Sequence, residues 1–257
     1  MRPLHRHGPG EGRPGAQGRD AFRAARRRPD DRLRRRRHLR VLRSGRGAPQ
    51  VIETYLRQSA LDHLGLAGHS TAAPTEAGVQ LSEKPLPVAV NLRGDSGDAA
   101  FVEAVREALG LALPTLPNTA TTGEGLALLW LGPDEWLAMQ HDAAAFAEAQ
   151  LATKLRKALD GLHAAVTEMG ESLCCLSLAG AQARAVLAKG CPLDLHPRAF
   201  GGSGHCAQSL LAKAAVTLLQ VSDAPAFELY VRRSFADYLW RWLEDAAREY
   251  GVAVVRP

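Results

Sequence analysis

No apolar run in this chain approaches the roughly 18–20 residues needed to span a bilayer. That excludes a membrane-spanning helix. The N-terminus carries charge but no apolar core of the kind a secretory signal needs, so no export signal is read there. Cysteine is sparse: Cys174, Cys175, Cys191 and Cys206 are the four present. Together these place the expected compartment in the cytoplasm, where thiols stay reduced. Lysine, isoleucine and tyrosine are missing from the first fifty residues, which hold 16 Arg against four acids, a net of +12. The other 207 residues carry a net of −7, so the overall +5 misleads. The body lacks the basic footprint of a nucleic-acid binder, and no nucleic-acid partner is expected for it.

Arginine mixed with Gly, Pro and Ala is what a GC-rich gene yields when sequence upstream of its start is translated. The composition changes abruptly at "VIETYLRQSALDHLGL". Residues 1–50 are therefore expected to be disordered or to precede a start at Val51, and they are left out of fold reasoning. A basic arm that binds nucleic acid is the alternative for this segment.

Residues 51–84 read as an N-terminal docking arm and linker. Tyr55, Leu56, Ala60, Leu64 and Leu66 space out on a short helix or an extended arm, and Gly, Ser and Thr follow. Tyr55 and Leu56 are candidate interface residues. Residues 85–257 read as an α+β domain with mixed or antiparallel sheets and flanking helices, with two subdomains splitting near 170. Val88–Leu92 alternates as a strand, and Asp98 caps a helix to about Leu109. Leu126–Leu131 and Trp136–Met139 form a hairpin, and Ala143–Leu159 a helix. Ala164–Thr167 and Leu173–Leu178 read as a second pair of strands turning at Gly170. Ala181–Ala188 is a short helix, followed by strands at Ala207–Lys213, Ala215–Val221 and Phe227–Val231. The last helix is the clearest: Ser234 is its expected cap, and Phe235, Tyr238, Leu239, Trp242, Leu243, Ala246 and Tyr250 its buried stripe. Val252–Val255 returns as a strand. Trp240 lies off that stripe and is a candidate partner contact. Arg232 and Arg233, just before the helix, are candidates to bind an acidic patch on another subunit.

Chemistry is hard to find. "GCPLDLHPRAF" (190–200) sets a thiol, a carboxylate and an imidazole within six residues. Yet Cys191 has no Gly-rich oxyanion feature around it, and Pro192 separates it from His196. Cys174 and Cys175 are adjacent and cannot easily face one ion; Cys206 follows His205 directly, on strand-like residues that point apart. The expected reading is a Pro-braced turn whose Asp194 and His196 hold backbone groups, with buried apolar cysteines. "GGSGH" (201–205) lacks the spacing and the following Lys-Ser or Lys-Thr of a phosphate loop. No catalytic, cofactor-binding or metal-ligating residue is assigned.

The runs "IETYLRQSALDHLGL", "LGPDEWL", "LAKGCPLDLHPRAF", "CAQSLLAKAAVTLLQ" and "DAPAFELYVRRSFADYLWRWLEDAAREYGV" resemble the gamma subunit of heterotetrameric sarcosine oxidase. The resemblance runs from about Val51 to Val255. It implies a fold like that of the folate-binding aminomethyltransferase of the glycine-cleavage system. It also implies membership in an assembly with alpha, beta and delta subunits. That assembly demethylates sarcosine oxidatively to glycine, hydrogen peroxide, and formaldehyde or methylenetetrahydrofolate. In the family FAD, covalent FMN and NAD belong to the two large subunits and zinc to delta, with tetrahydrofolate also expected outside gamma. Gamma supplies no cofactor ligand or catalytic residue, so none is carried over. A stand-alone aminomethyltransferase would need a further C-terminal domain. The folate-binding protein that supports iron–sulphur enzymes continues its Lys-Gly-Cys signature with Tyr-x-Gly-Gln-Glu. Here Lys189-Gly190-Cys191 is followed by Pro192-Leu193-Asp194-Leu195-His196, which lacks those amide and carboxylate groups.

Overall fold

Strands that are apolar at nearly every position, such as "LALLWLG" and "LCCLSLA", need cover on both faces, and the architecture supplies it. The computed structural model describes residues 58–69, 73–85, 88–123, 125–140 and 147–255. One sheet holds β2 (Val88–Arg93), β3 (Ala120–Gly123), β4 (Leu126–Gly132), β5 (Glu135–Gln140) and β6 (Ala165–Glu168), in the order β3-β4-β5-β2-β6. It is antiparallel throughout. The other holds β1 (Val79–Glu83), β7 (Leu173–Ala179), β8 (Cys206–Leu211), β9 (Ala214–Ser222), β10 (Ala226–Arg232) and β11 (Val252–Val254), in the order β11-β1-β7-β10-β9-β8. Its pairs are antiparallel except β1 with β11, which is parallel. The expected α+β class with mixed and antiparallel sheets holds.

Side chains alternate between two cores along each strand. Val90, Leu128, Trp136 and Ala138 face α1 (Ala99–Leu109) and α2 (Ala147–Ala158). Ala89, Leu129, Leu137 and Met139 point the other way and meet Leu173, Cys175, Leu219 and Tyr230 of the second sheet. The outer face of that second sheet packs Leu176, Leu218, Leu229 and their neighbours against α3 (Ala183–Ala188) and α4 (Ala236–Ala247). The result is four layers, helix–sheet–sheet–helix. In the first outer layer α1 is set by local signals. Asp98 accepts the amide of Ala100 at 2.9 Å, as expected of a cap, and Gly110 closes α1 in the left-handed region at φ 69°.

Four expectations are corrected. Residues 51–84 are not all arm and linker: Val79–Glu83 is an interior strand, paired to β11 and β7, with Val79 and Leu81 fully buried. The strands on either side of Gly170 do not pair. β6 pairs β2 and β7 pairs β1 and β10, so the chain passes from one sheet to the other at Gly170–Ser172. The two sheets share a core, and all of the described residues fall within the single unit Val51–Pro257. The last helix begins at Ala236 after a 3-10 turn at Arg233–Phe235, and Ser234 makes no cap bond to it. Its buried face is Ala236, Leu239, Trp240, Leu243 and Ala247, while Phe235 and Tyr238 are exposed.

Candidate functional site

The Gly190–Phe200 loop is built by backbone bonds. Short helix α3 ends as Cys191 N–H donates to the Leu187 carbonyl at 2.9 Å, and the Gly190 carbonyl accepts from Ala212 N–H at 2.9 Å. A Cβ at Gly190 would lie 2.5 Å from the Trp242 ring, so the glycine lets α4 close on the loop. At the far end a Cβ on Gly201 would lie 1.8 Å from the Pro197 carbonyl oxygen. Within the loop, Asp194 Oδ1 accepts the His196 amide at 3.0 Å, and His196 Nδ1 accepts the Arg198 amide at 3.2 Å. These are local turn bonds. The Cys191 thiol faces Ser209 Oγ at 3.7 Å instead. The imidazole that would have to serve as its base is therefore committed elsewhere, which agrees with the turn read from sequence.

Arg184 organises the whole loop, and the sequence reading missed it. It sits in the first turn of α3, where the helix aims it under the loop. Nη1 donates to the carbonyls of Leu195 and Phe200, the latter at 2.8 Å. Nη2 donates to Gln220 Oε1 at 3.1 Å, and the guanidinium lies 5.2 Å from the centre of the Phe227 ring. No sequence signal could have shown it, because two of its acceptors are backbone carbonyls.

The four cysteines are buried and free. Cys174 and Cys175 belong to different cores, on opposite faces of β7. They cannot share an ion. Burial holds the Cys175 thiol well above the usual range, and does the same for Cys174, with Glu83 at 3.4 Å adding to it. Burial pushes Cys206 up to about 11, while its Sγ donates to the Thr119 carbonyl at 3.1 Å. Burial of this kind disfavours the thiolate, the form that attacks or binds a metal. Among the described residues no group of three or more His, Cys, Asp and Glu side chains could hold a metal ion, and no helix is long and apolar enough to cross a membrane.

Of the interface candidates, Tyr55 and Leu56 lie outside the described residues. Arg232 is exposed and donates to Ser172 Oγ at 3.1 Å. Arg233 turns inward and donates to the Gln58 carbonyl, which fastens the N-terminal segment to the body. Trp240 has no exposed surface: it is in the core beneath α4, so its side chain has no face to offer a partner, contrary to expectation. Residues 58–69 form two 3-10 turns rather than a helix. They dock on their own chain through fully buried Leu61, the His63–Asp237 contact at 3.1 Å and the His69–Glu244 contact at 2.7 Å.

The sarcosine oxidase gamma subunit family matches this chain over residues 93–249. The chain belongs to that family. The gamma subunit of sarcosine oxidase from Corynebacterium sp. (strain P-1) is 36% identical over 203 residues, covering 78% of this chain and 94% of the relative. That from Arthrobacter sp. is 36% identical over 206 residues, covering 80% and 97%. Among solved structures, the heterotetrameric sarcosine oxidase from Corynebacterium sp. U-96 superposes with a TM-score of 0.68 at 32% identity, over 78% of this chain and 99% of the matched one. The glycine-cleavage aminomethyltransferase T from Bartonella henselae superposes with a TM-score of 0.51 at 19% identity, over 76% of this chain and 51% of that one. The second likeness shows the fold alone, and it is the fold the sequence resemblance implied. In this chain the Lys189–Pro197 run forms a turn, and Arg184 holds the carbonyls of Leu195 and Phe200.

Proposed function

We propose that this chain is a non-catalytic subunit of a sarcosine oxidase assembly, in which it packs with alpha, beta and delta subunits in the cytoplasm. The assembly oxidises the N-methyl group of sarcosine, releasing glycine and hydrogen peroxide with formaldehyde or methylenetetrahydrofolate. FAD, FMN, NAD, zinc and tetrahydrofolate sit on the other subunits. Family membership carries the reading, together with how the reactive side chains are used here. His196 and Asp194 hold backbone amides, and Cys174, Cys175 and Cys206 are held as thiols by burial. These residues do not fit a metal, and no step of the oxidation is routed through them.

The test uses the assembled enzyme with Cys191→Ser in this subunit. A thiol whose nearest polar partner is Ser209 Oγ contributes packing rather than chemistry. Turnover of sarcosine is expected to stay within about twofold of the parent, a change of under 0.5 kcal/mol in barrier. A loss of about 100-fold with the complex intact, which corresponds to about 2.7 kcal/mol, would make Cys191 part of the chemistry and end the non-catalytic reading.

A further inference from the structure

The inward face of β10 carries a polar file through an otherwise apolar layer. Glu228, Tyr230 and Arg232 alternate along it. Glu228 and Tyr230 are buried, and the Tyr230 hydroxyl donates to Glu228 Oε2 at 2.5 Å. Burial holds the phenol well above the usual tyrosine range, so it remains a donor. This bond fixes the tyrosine ring at the place where the two sheets part.

There a cleft of about 270 Å³ opens between them. Leu137, Leu173 and Met169 join Tyr230 in an apolar lining, and short side chains at Ala215 and Thr217 leave the room. The charge of the cleft is decided by pairing. Glu135, on its wall, is already engaged: Oε1 accepts from Asn91 at 2.8 Å and Oε2 from Arg93 at 2.7 Å. Gln208 donates to the Leu131 carbonyl at 2.8 Å. Among the described residues, the guanidinium of Arg232 at the mouth donates to the neutral Ser172 hydroxyl and forms no ion pair. A guanidinium presents five donors, so most of Arg232 is left facing the opening, with the Thr217 hydroxyl on the same face of the sheet.

We propose that this cleft is a binding site for a small monocarboxylate with an apolar body. The carboxylate accepts from Arg232, where a planar fork matches it, and the body lies against Tyr230 and the leucines. Ligand clefts usually span about 300–1,000 Å³, so this one takes a molecule of amino-acid size and not a dinucleotide or a pterin cofactor. The site goes beyond the subunit reading and does not rest on it, because every residue involved belongs to this chain.

The test titrates the full chain with benzoate and with benzamide, its neutral counterpart, by ligand-observed NMR. Benzoate is expected to saturate with a Kd of about 1 mM, the range of fragment-sized ligands, and benzamide to bind about tenfold more weakly. Arg232→Gln is expected to abolish the difference between the two. Ala215→Trp fills the mouth from an exposed strand position that favours large side chains, and is expected to abolish saturable binding of both with the circular dichroism spectrum unchanged. Failure of benzoate to saturate by about 20 mM, equal affinity for the two probes, or binding that Arg232→Gln leaves unaltered would each overturn the proposal.

Discussion

Trp240→Ala is expected to lower the unfolding free energy by about 3–5 kcal/mol and to remove most soluble protein. The indole is fully buried between α4 and the second sheet, among Leu239, Leu243 and Leu229. A domain of this size is stable by about 5–15 kcal/mol, so the loss is a large share of the total. The mechanism is the cavity left when a rigid core closes only partly on the gap. A second variant separates shape from polarity. The Trp240 Nε1 has no hydrogen-bond partner among the described residues, and a buried unpaired donor costs about 1–3 kcal/mol. Trp240→Phe removes that donor while keeping a ring, so relief of the unpaired N–H offsets much of the lost packing and the net cost is expected to be about 0–1 kcal/mol, well below the alanine variant. Urea unfolding of the purified chain measures both. A Trp240→Ala midpoint equal to the parent's would show that α4 is not seated as described. The sequence pattern alone placed this burden on Trp242. That residue is only partly buried, so Trp242→Ala is expected to cost less than Trp240→Ala.

Arg184→Ala is expected to destabilise by about 3 kcal/mol, with the effect concentrated in the 190–200 loop. One guanidinium holds the carbonyls at Leu195 and Phe200 and the amide oxygen of fully buried Gln220. Removing it strands those acceptors in a region that water reaches poorly, and stranded acceptors cost more than the bonds were worth. Arg184→Lys is expected to recover at most about half, because one ammonium cannot fork across three acceptors held at fixed angles. Native-state hydrogen exchange at Leu195–Phe200, together with urea midpoints, reads the result. Parent-like protection of those amides in Arg184→Ala would mean that the Asp194 and His196 turns hold the loop unaided.

The elements legible in the sequence are those whose signals are local. Asp98 before a 3.6-periodic run gave α1 with its cap, and the Gly-Pro-Asp turn at 132–134 gave the β4–β5 hairpin. The turn roles of Asp194 and His196 were legible for the same reason, since each side chain bonds an amide two residues on. What escaped is non-local. Val79–Glu83 follows a small-residue stretch and becomes a strand because Val252–Val254 and Leu176–Ala179 flank it, partners roughly 100–170 residues away. The phase of α4 was misread because aromatics at 235, 238, 240 and 242 surround the helix, while the buried Ala236 and Ala247 give only weak hydrophobic signal. The pairing of β6 with β2 rather than β7 follows from two sheets packing face to face, an arrangement that periodicity within one strand does not encode. The Arg184 clamp and the charge balance of the inter-sheet cleft depend on which partners the fold brings together, and no spacing in the chain announces them.

The central claim is that this chain works only as part of a larger oxidase. The direct measurement is co-expression of the tagged full chain with alpha, beta and delta subunits of sarcosine oxidase, followed by the mass and visible spectrum of what elutes. The expected result is one complex containing all four chains, with flavin absorbance, that releases peroxide from sarcosine. A colourless monomer eluting apart from soluble alpha, beta and delta subunits would contradict the account.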